Sequence, residues 1–213
     1  MPTKTAGAQR AYCPDRRWFV LASGAALAGL APRWANAEAG QAGSVEEIRG
    51  DAFAEARAVR RPLGPAAPLF IGDNVSTGAV SRLTMHLGRD TTLRLGERTR
   101  VTIDRFLVDA GGQISLHSGP VMFERPSGAA PTPVQIRSPF GLIAVRGTRF
   151  FAGPSKGVFG VFVAHGRVTV SSGGRRVVLE NGQGTDIRGP GAAPTPAAAW
   201  GIPRIDAVLS SVY

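Results

Sequence analysis

The chain has 213 residues, a formal net charge of +10 at neutral pH, 28 glycines, 16 prolines and a single cysteine. This length suffices for one domain with a hydrophobic core, and the Gly and Pro content predicts many turns and few long helices. Because Cys13 lies close to the N-terminus, the chain beyond it cannot form a disulfide, a thiolate nucleophile or a Cys-ligated metal site. The basic residues are scattered rather than clustered, which argues against a nucleic acid as partner.

The first 37 residues have the three parts of an export signal. A basic segment ends at Arg16-Arg17, an uncharged apolar run extends from Trp18 to Pro32, and Ala35-Asn36-Ala37 has the small-x-small pattern of a cleavage site. We therefore expect residues 1–37 to be a signal helix that is cleaved at the Ala35 and Ala37 pair after export.

Two details of this segment bear on the route of export. Arg16, Arg17 and Phe19 fit a twin-arginine motif, in which Asp15 replaces the usual Ser or Thr. The apolar run has about 15 residues, fewer than the roughly 20 that cross a bilayer, and a retained membrane anchor is the alternative. We expect a periplasmic mature protein without a membrane span.

The mature chain remains basic. Removing the five basic residues and one acidic residue of the signal leaves 20 basic and 14 acidic residues, a net charge of +6.

Alternation of apolar and polar residues dominates the rest of the chain. In the stretch RLTMHL, Leu83, Met85 and Leu87 fall on one face, and Thr84 and His86 fall on the other. The same period recurs in TTLRLG, RVTIDRF, QISLHSG and PVMFER and, after the looser stretch RPSGAAPTP, in PVQIRS, GLIAVRGTRFF, GVFGVFVAHGRVTVSS and RRVVLENGQGTDI. Such short strands predict an all-β sandwich, barrel or solenoid, and without an exact repeat this choice stays open.

The stretch SPFGLIAVRGTRFF interrupts a hydrophobic strand with an Arg, a Gly and a Thr. The alternation points Ile143 and Val145 inward and predicts a bulge or bend at Gly147, after which the strand resumes. Further along, valines on both sides of His165-Gly166 predict a hairpin at that dipeptide.

The C-terminal part, residues 188–213, differs in composition from the strands. Residues 189–199 are rich in Pro and Ala and predict a linker or a segment that wraps around the domain. Ile205, Val208, Leu209 and Val212 follow at helical spacing, which predicts a short amphipathic helix. This helix either caps the β core or serves as a peptide that binds a partner.

The sequence contains no recognisable catalytic arrangement. His86, His117 and His165 do not form a His-x-His pair, and there is neither a Gly-x-Ser-x-Gly elbow nor a phosphate-binding loop. A glycosidase-like pair of carboxylates is compatible with the spacing, but Asp73 lies between Gly and Asn, where Asp is typical of turns. We expect no catalytic residue, no metal and no cofactor.

Three segments fit one family pattern: PLFIGDNVSTGAVSRLTMHLGRDTTLRLGERTRVTI, SPFGLIAVRGTRFF, and VFVAHGRVTVSS with VVLENGQGTDI. Together they resemble the FecR domain, the periplasmic β domain of FecR-type signalling proteins. The residues that carry the resemblance are Gly72, Asp73, Gly78, Gly147, Gly166, Gly182 and Gly184. The resemblance covers residues 44–187 and implies a β-solenoid-like or sandwich-like domain that relays signals across the cell envelope through protein contacts.

The resemblance is limited to this domain. FecR regulators also carry a cytoplasmic anti-sigma segment, a membrane span and a receptor-docking module, and we expect this chain to be a stand-alone secreted form. The main hypothesis is a non-catalytic binding or scaffold module for an envelope protein, such as a sensor or receptor. The alternatives are a binder of anionic envelope polysaccharide or peptidoglycan and, third, a metal- or carboxylate-dependent enzyme. The predicted contact residues are Arg146, Thr148, Arg149, His165 and Arg167.

Overall fold

A computed structural model of the chain describes residues 40–107, 111–126, 128 and 133–213. The predicted signal peptide, with Arg16, Arg17, Phe19, Ala35 and Ala37, lies outside the described residues. The first strands are β1 (Gln41–Arg49), β2 (Ala52–Ala56), β3 (Val59–Pro62), β4 (Pro68–Phe70), β5 (Asn74–Thr77), β6 (Arg82–Leu87), β7 (Thr91–Leu95) and β8 (Arg100–Leu107). They are followed by β9 (Gly111–Ser118), β10 (Val121–Glu124), β11 (Val134–Ser138), β12 (Gly141–Ser155), β13 (Val158–Ser172), β14 (Arg175–Leu179), β15 (Gln183–Ile187), β16 (Ala198–Ala199) and helix α1 (Ile202–Ser210). The prediction of an all-β fold with a short C-terminal helix is confirmed.

The strands form one sheet with two halves that share β12 and β13. Half A runs in the order β3-β2-β5-β8-β9-β11 and continues into the first part of β12, the last part of β13, and β14. Half B runs β4-β1-β6-β7-β10 and continues into the last part of β12, the first part of β13, β15 and β16. The two long strands therefore pass from one half into the other.

The two halves pack face to face around one core. Strands such as β5, β7 and β11 bury alternate residues. Fully buried side chains from half A, such as Ile103 and Ile136, belong to the same cluster as Leu93 and Phe123 from half B. All described pairs are antiparallel except β9 with β11. Stacked parallel rungs, which define a solenoid, are therefore not what these strands form. Of the arrangements left open by the sequence, the described strands adopt the sandwich.

A corner in β12 and β13 joins the halves. β12 pairs with β11 up to Val145 and with β10 from Arg149, and its register against β13 shifts between these residues. Gly147 in β12 has φ +57° and Gly166 in β13 has φ +91°. A side chain at Gly166 would have its Cβ within 2.7 Å of the Gly147 carbonyl oxygen. The two strands thus bend together at residues whose positive φ favours glycine, and at Gly166 a side chain would also collide with its neighbours.

The hairpin predicted at His165-Gly166 is wrong, because β13 continues through this dipeptide as one strand. The chain reverses instead at Lys156-Gly157, between β12 and β13. Both residues have positive φ, at +54° and +78°, as a two-residue turn between twisted strands requires. The positive φ of Gly166 reflects a bend within a strand.

The C-terminal residues belong to the sandwich and extend it beyond the predicted range of 44–187. The hydroxyl of Thr185 donates to the Thr195 carbonyl at 2.6 Å, and β16 pairs with β15, so the Pro/Ala-rich segment wraps around the domain instead of acting as a linker. Helix α1 then packs on the outer face of half B. There a second cluster joins Met122, Phe151, Phe162, Trp200, Val208 and Val212.

Candidate functional site

The outer faces of the two halves differ in what covers them. On half B, α1 and Trp200 pack over apolar side chains of β10, β12 and β13, and the rings of Phe162 and Trp200 stack at 5.3 Å. On half A, no described element packs over the outer face. The strand register arranges its side chains in two rows, which we call the open face: Ser115, Arg137, Leu142, Ser171 and Arg176, and beside them Gln113, Gln135, Ala144, Thr169 and Val178.

Two of the predicted contact residues lie at the corner on the half A side. The register pairs Arg146 with Arg167, and Arg167 continues the outward-facing positions of the open face. Its exposed guanidinium donates to Glu180 at 2.8 Å. The side chain of Arg146 lies outside the described part of the structure. Arg167 is thus an accessible charged group at the rim of the open face.

Two further predicted contact residues lie on the half B side of the corner. Arg149 is paired in register with His165, which is exposed. The Arg149 guanidinium donates to the Tyr213 hydroxyl at 2.5 Å, and its Nε lies 3.8 Å from a carboxylate oxygen of Glu124. Arg149 therefore holds the C-terminal residue against the sheet. The corner separates this pair from Arg167, so the predicted residues do not form one patch.

The position of Thr148 differs from the sequence prediction. It was expected to be an exposed contact group, but its side chain is completely buried. The bend at Gly147 shifts the register by one position and turns Thr148 toward the interior. Among the described residues, its Oγ1 has no hydrogen-bond partner. A buried hydroxyl of this kind is a cost to stability, and Thr148 cannot contact a partner protein.

Asp73 has a structural role in the turn between β4 and β5. It is buried, and its carboxylate accepts hydrogen bonds from the backbone N–H of Phe70, at 2.9 Å, and from the guanidinium of Arg61. Its own carbonyl accepts from the N–H of Ile103 in β8 at 3.0 Å. Asp73 therefore joins the turn to half A through a paired buried charge, as such charges require.

The glycines that carry the resemblance occupy turns and close contacts. Gly72, Gly78 and Gly182 lie in connections between strands. Gly184 lies in β15 opposite Trp200, where an added Cβ would come within 2.3 Å of the indole Nε1. The absence of a side chain at Gly184 makes room for the ring that anchors the C-terminal segment.

A cavity of about 540 Å³ lies at the end of the sandwich remote from the corner. Its walls come from the end of β9, the β11–β12 turn, the β12–β13 turn and the residues after β15. Phe140 and Phe159 stack in its wall with ring centres 4.5 Å apart. We call this cavity the end pocket. Sequence reasoning missed it because its walls come from four separate turns and strand ends.

His86 and His117 have polar partners on neighbouring strands. His86 lies 3.1 Å from a carboxylate oxygen of Glu46 and 3.1 Å from the Thr92 hydroxyl, and His117 lies 2.8 Å from the hydroxyl of Thr102. Among the described residues, no group of three or more His, Cys, Asp or Glu is placed to hold a metal ion. In the same part of the chain, no helix has the length and apolar character needed to cross a membrane.

Comparison with known protein families identifies the domain that the two sheet halves form. A family model described as FecR protein matches residues 73–169. This chain carries a FecR domain. The matched residues run from the buried Asp73 through the corner to β13, so the FecR domain forms most of both sheet halves. No curated protein matches the chain.

The FecR domain also has counterparts among solved structures. Two crystal structures of a candidate anti-sigma factor from Parabacteroides distasonis ATCC 8503, at 1.65 and 2.50 Å resolution, each superpose with a TM-score of 0.53 and 16% sequence identity. Each alignment covers 64% of this chain, and 64% and 63% of the respective neighbour. This chain therefore spans less than two thirds of those proteins, and at this identity the likeness shows the fold alone.

Proposed function

We propose that this chain is a non-catalytic, periplasmic protein-binding module of envelope signalling. The FecR domain carries the proposal, because the family and the candidate anti-sigma factors with the same fold have regulatory roles. A regulator of this kind acts by contact with other proteins. The partner we infer is an envelope protein, such as a sensor or receptor. An export signal in residues 1–37, read as twin-arginine, would deliver the chain to the periplasm.

The open face is the surface that we assign to the partner. Arg137 and Arg176 are exposed in one row, with Leu142 and Ser171 between them, and Ala144 and Val178 lie in the other row among amide and hydroxyl groups. Protein interfaces of non-obligate complexes have this mixture of small apolar patches, polar groups and arginine. On half B the equivalent area is already used by α1. The partner that fits the open face is flat, hydrogen-bonding and acidic.

Charge reversal on the open face tests this assignment. The tagged, exported chain is used to capture proteins from solubilised envelopes of the bacterium that produces it, alongside an Arg137→Glu/Arg176→Glu variant. The control is a Lys156→Glu/Arg57→Glu variant, which makes the same charge change at exposed turns outside the open face. We expect an envelope protein to be captured by the wild type and the control but lost from the open-face variant. Equal capture by all three would contradict the open face, and capture of no envelope protein would contradict the function.

Anionic envelope polysaccharide is the alternative ligand. The surplus of six positive charges outside the signal and the exposed arginines of half A favour it, because distributed positive charge attracts anionic polymers. Sedimentation with purified cell-wall sacculi at low salt, abolished at about 0.15 M salt, is expected if it is correct. A chain that stays in the supernatant at low salt would exclude this alternative.

A further inference from the structure

The end pocket has the size and the walls of a small-molecule site. Its volume of about 540 Å³ falls within the range of roughly 300–1,000 Å³ that is typical of ligand sites. The stacked rings of Phe140 and Phe159 and the prolines Pro139, Pro154 and Pro190 give it a mainly apolar lining. Such a lining favours an apolar ligand body, because burying it removes apolar surface from water.

The ionisable groups around the pocket are all potential cations. His117 and Arg188 contribute to its lining, and no Asp or Glu does so among the described residues. Arg188 is exposed and forms no ion pair within the described part of the chain. The Nε2 of His117 lies 2.8 Å from the Thr102 hydroxyl, which fixes the orientation of the ring. A ligand with a single negative charge would therefore meet an available guanidinium at the rim.

The structural elements that form the pocket are well anchored. Phe159 is buried and paired in register with Pro154 across the β12–β13 hairpin. Phe140 follows Ser138, whose hydroxyl accepts from the Phe140 N–H at 3.2 Å and donates to the Gly141 carbonyl at 3.1 Å. These bonds hold the stacked rings in place without a ligand. A pre-formed site of this kind loses little ordering entropy on binding.

We propose that the end pocket binds a small amphiphile with an apolar body and one anionic head group, with Arg188 at the head and the Phe140–Phe159 stack against the body. This site shares no residue with the open face and does not depend on the proposed partner. A carboxylate of about eight carbons is a suitable probe for the apolar and the anionic part together. Binding of this ligand would give the FecR domain a second signal, independent of the protein partner at the open face.

Titration calorimetry with octanoate, 1-octanol and octyltrimethylammonium tests the proposal on the folded chain. Octanoate is expected to bind more tightly than the cation of equal chain length. Arg188→Gln should weaken the affinity for octanoate about fivefold, the upper range for an exposed ion pair. The affinity for 1-octanol should not change. Arg57→Gln, at an exposed turn that does not line the pocket, is the matched charge control and should change neither affinity.

Gly189 offers a way to fill the pocket. It lines the cavity, its φ is not positive, and an added Cβ would meet no atom within 4 Å. Gly189→Phe should abolish binding of octanoate and 1-octanol. Gly64→Phe is the matched control, since Gly64 is equally open and also accepts a hydrogen bond from the residue three positions later, Ala67, as Gly189 does from Ala192.

Amide NMR of the unaltered chain gives a check that does not depend on any variant. Octanoate should shift the amide signals of Phe140, Phe159 and Gly189 and leave those of the open face in place. The proposal would be overturned by an absence of octanoate binding, by cation binding of equal strength, by undiminished binding to Gly189→Phe, or by shifts confined to another surface.

Discussion

The two halves of the sandwich have similar inner faces and different outer faces. Half B carries Met122, Phe151 and Phe162 on its outer face, and the C-terminal helix buries them. Half A carries Arg137, Ser171, Thr169 and similar residues at the equivalent positions, and they remain accessible. The inner alternation builds the sandwich in both halves, while the outer residues decide which half receives a third layer. Half A, which lacks this layer, therefore leaves its outer face exposed to solvent.

The greatest loss of stability should come from a substitution on the covered face of half B. Trp200→Ala removes a ring that stacks on Phe162, fills the space over Gly184 and lies 3.5 Å below the Arg204 guanidinium. We expect a loss of about 3–5 kcal/mol in the free energy of unfolding, as for other buried aromatic residues. Denaturation in urea measures it. On the open face, Val178→Ala should cost less than about 0.5 kcal/mol. Similar losses for both variants would remove the difference between the faces.

The corner that joins the halves should show the next largest effect. Gly166→Ala places a Cβ within 2.5 Å of the Thr148 methyl in a residue with φ +91°. Backbone strain and overpacking together should cost about 3 kcal/mol. Gly147→Ala meets no atom within 4 Å, and its positive φ alone should cost about 1 kcal/mol. Thermal and urea unfolding compare the two; equal melting of both variants and wild type would show that the corner does not need glycine.

Thr148 should respond in the opposite direction. Thr148→Val keeps the shape of the buried side chain and removes a hydroxyl without a described partner, so stability should rise by about 1 kcal/mol. Thr148→Ser retains the hydroxyl and loses the methyl group, and should lower stability by a similar amount. An increase in melting temperature for Val and a decrease for Ser are the expected results. Destabilisation by Val would mean that the hydroxyl has a partner.

The smallest effect on stability is expected on the open face. Arg137→Glu/Arg176→Glu changes two exposed side chains and should alter the free energy of unfolding by less than about 0.5 kcal/mol per site. Urea denaturation checks this and shows whether lost capture of a partner reflects the surface or the fold. A loss of several kcal/mol would mean that the open face is part of the structural framework.

The sequence predicted the strands better than their arrangement. Alternation located β6 and β7 because one face of each is buried, and helical spacing located α1. The pattern around His165-Gly166 was misread because glycine with positive φ serves both turns and bends within strands. Thr148 was misplaced because a single register shift reverses the direction of every following side chain.

One sequence signal could have distinguished the covered from the open face. The first part of β13, VFGVFV, and β10, VMFE, are almost continuously apolar, which is typical of strands that are buried on both faces. The last part of β13, RVTVSS, alternates and is buried on one face. The end pocket had no comparable signal, because residues from four distant segments meet there only in the folded chain.

Photo-cross-linking in living cells tests most directly whether the open face receives the partner. A photoreactive phenylalanine analogue replaces Val178 on the open face or Ile202 on the helix that covers half B; their exposed fractions are 46% and 73%. We predict an adduct with one envelope protein from position 178 and none from position 202, although Ile202 is the more exposed. An adduct from position 202 alone, or no adduct with an envelope protein from position 178, would contradict the account.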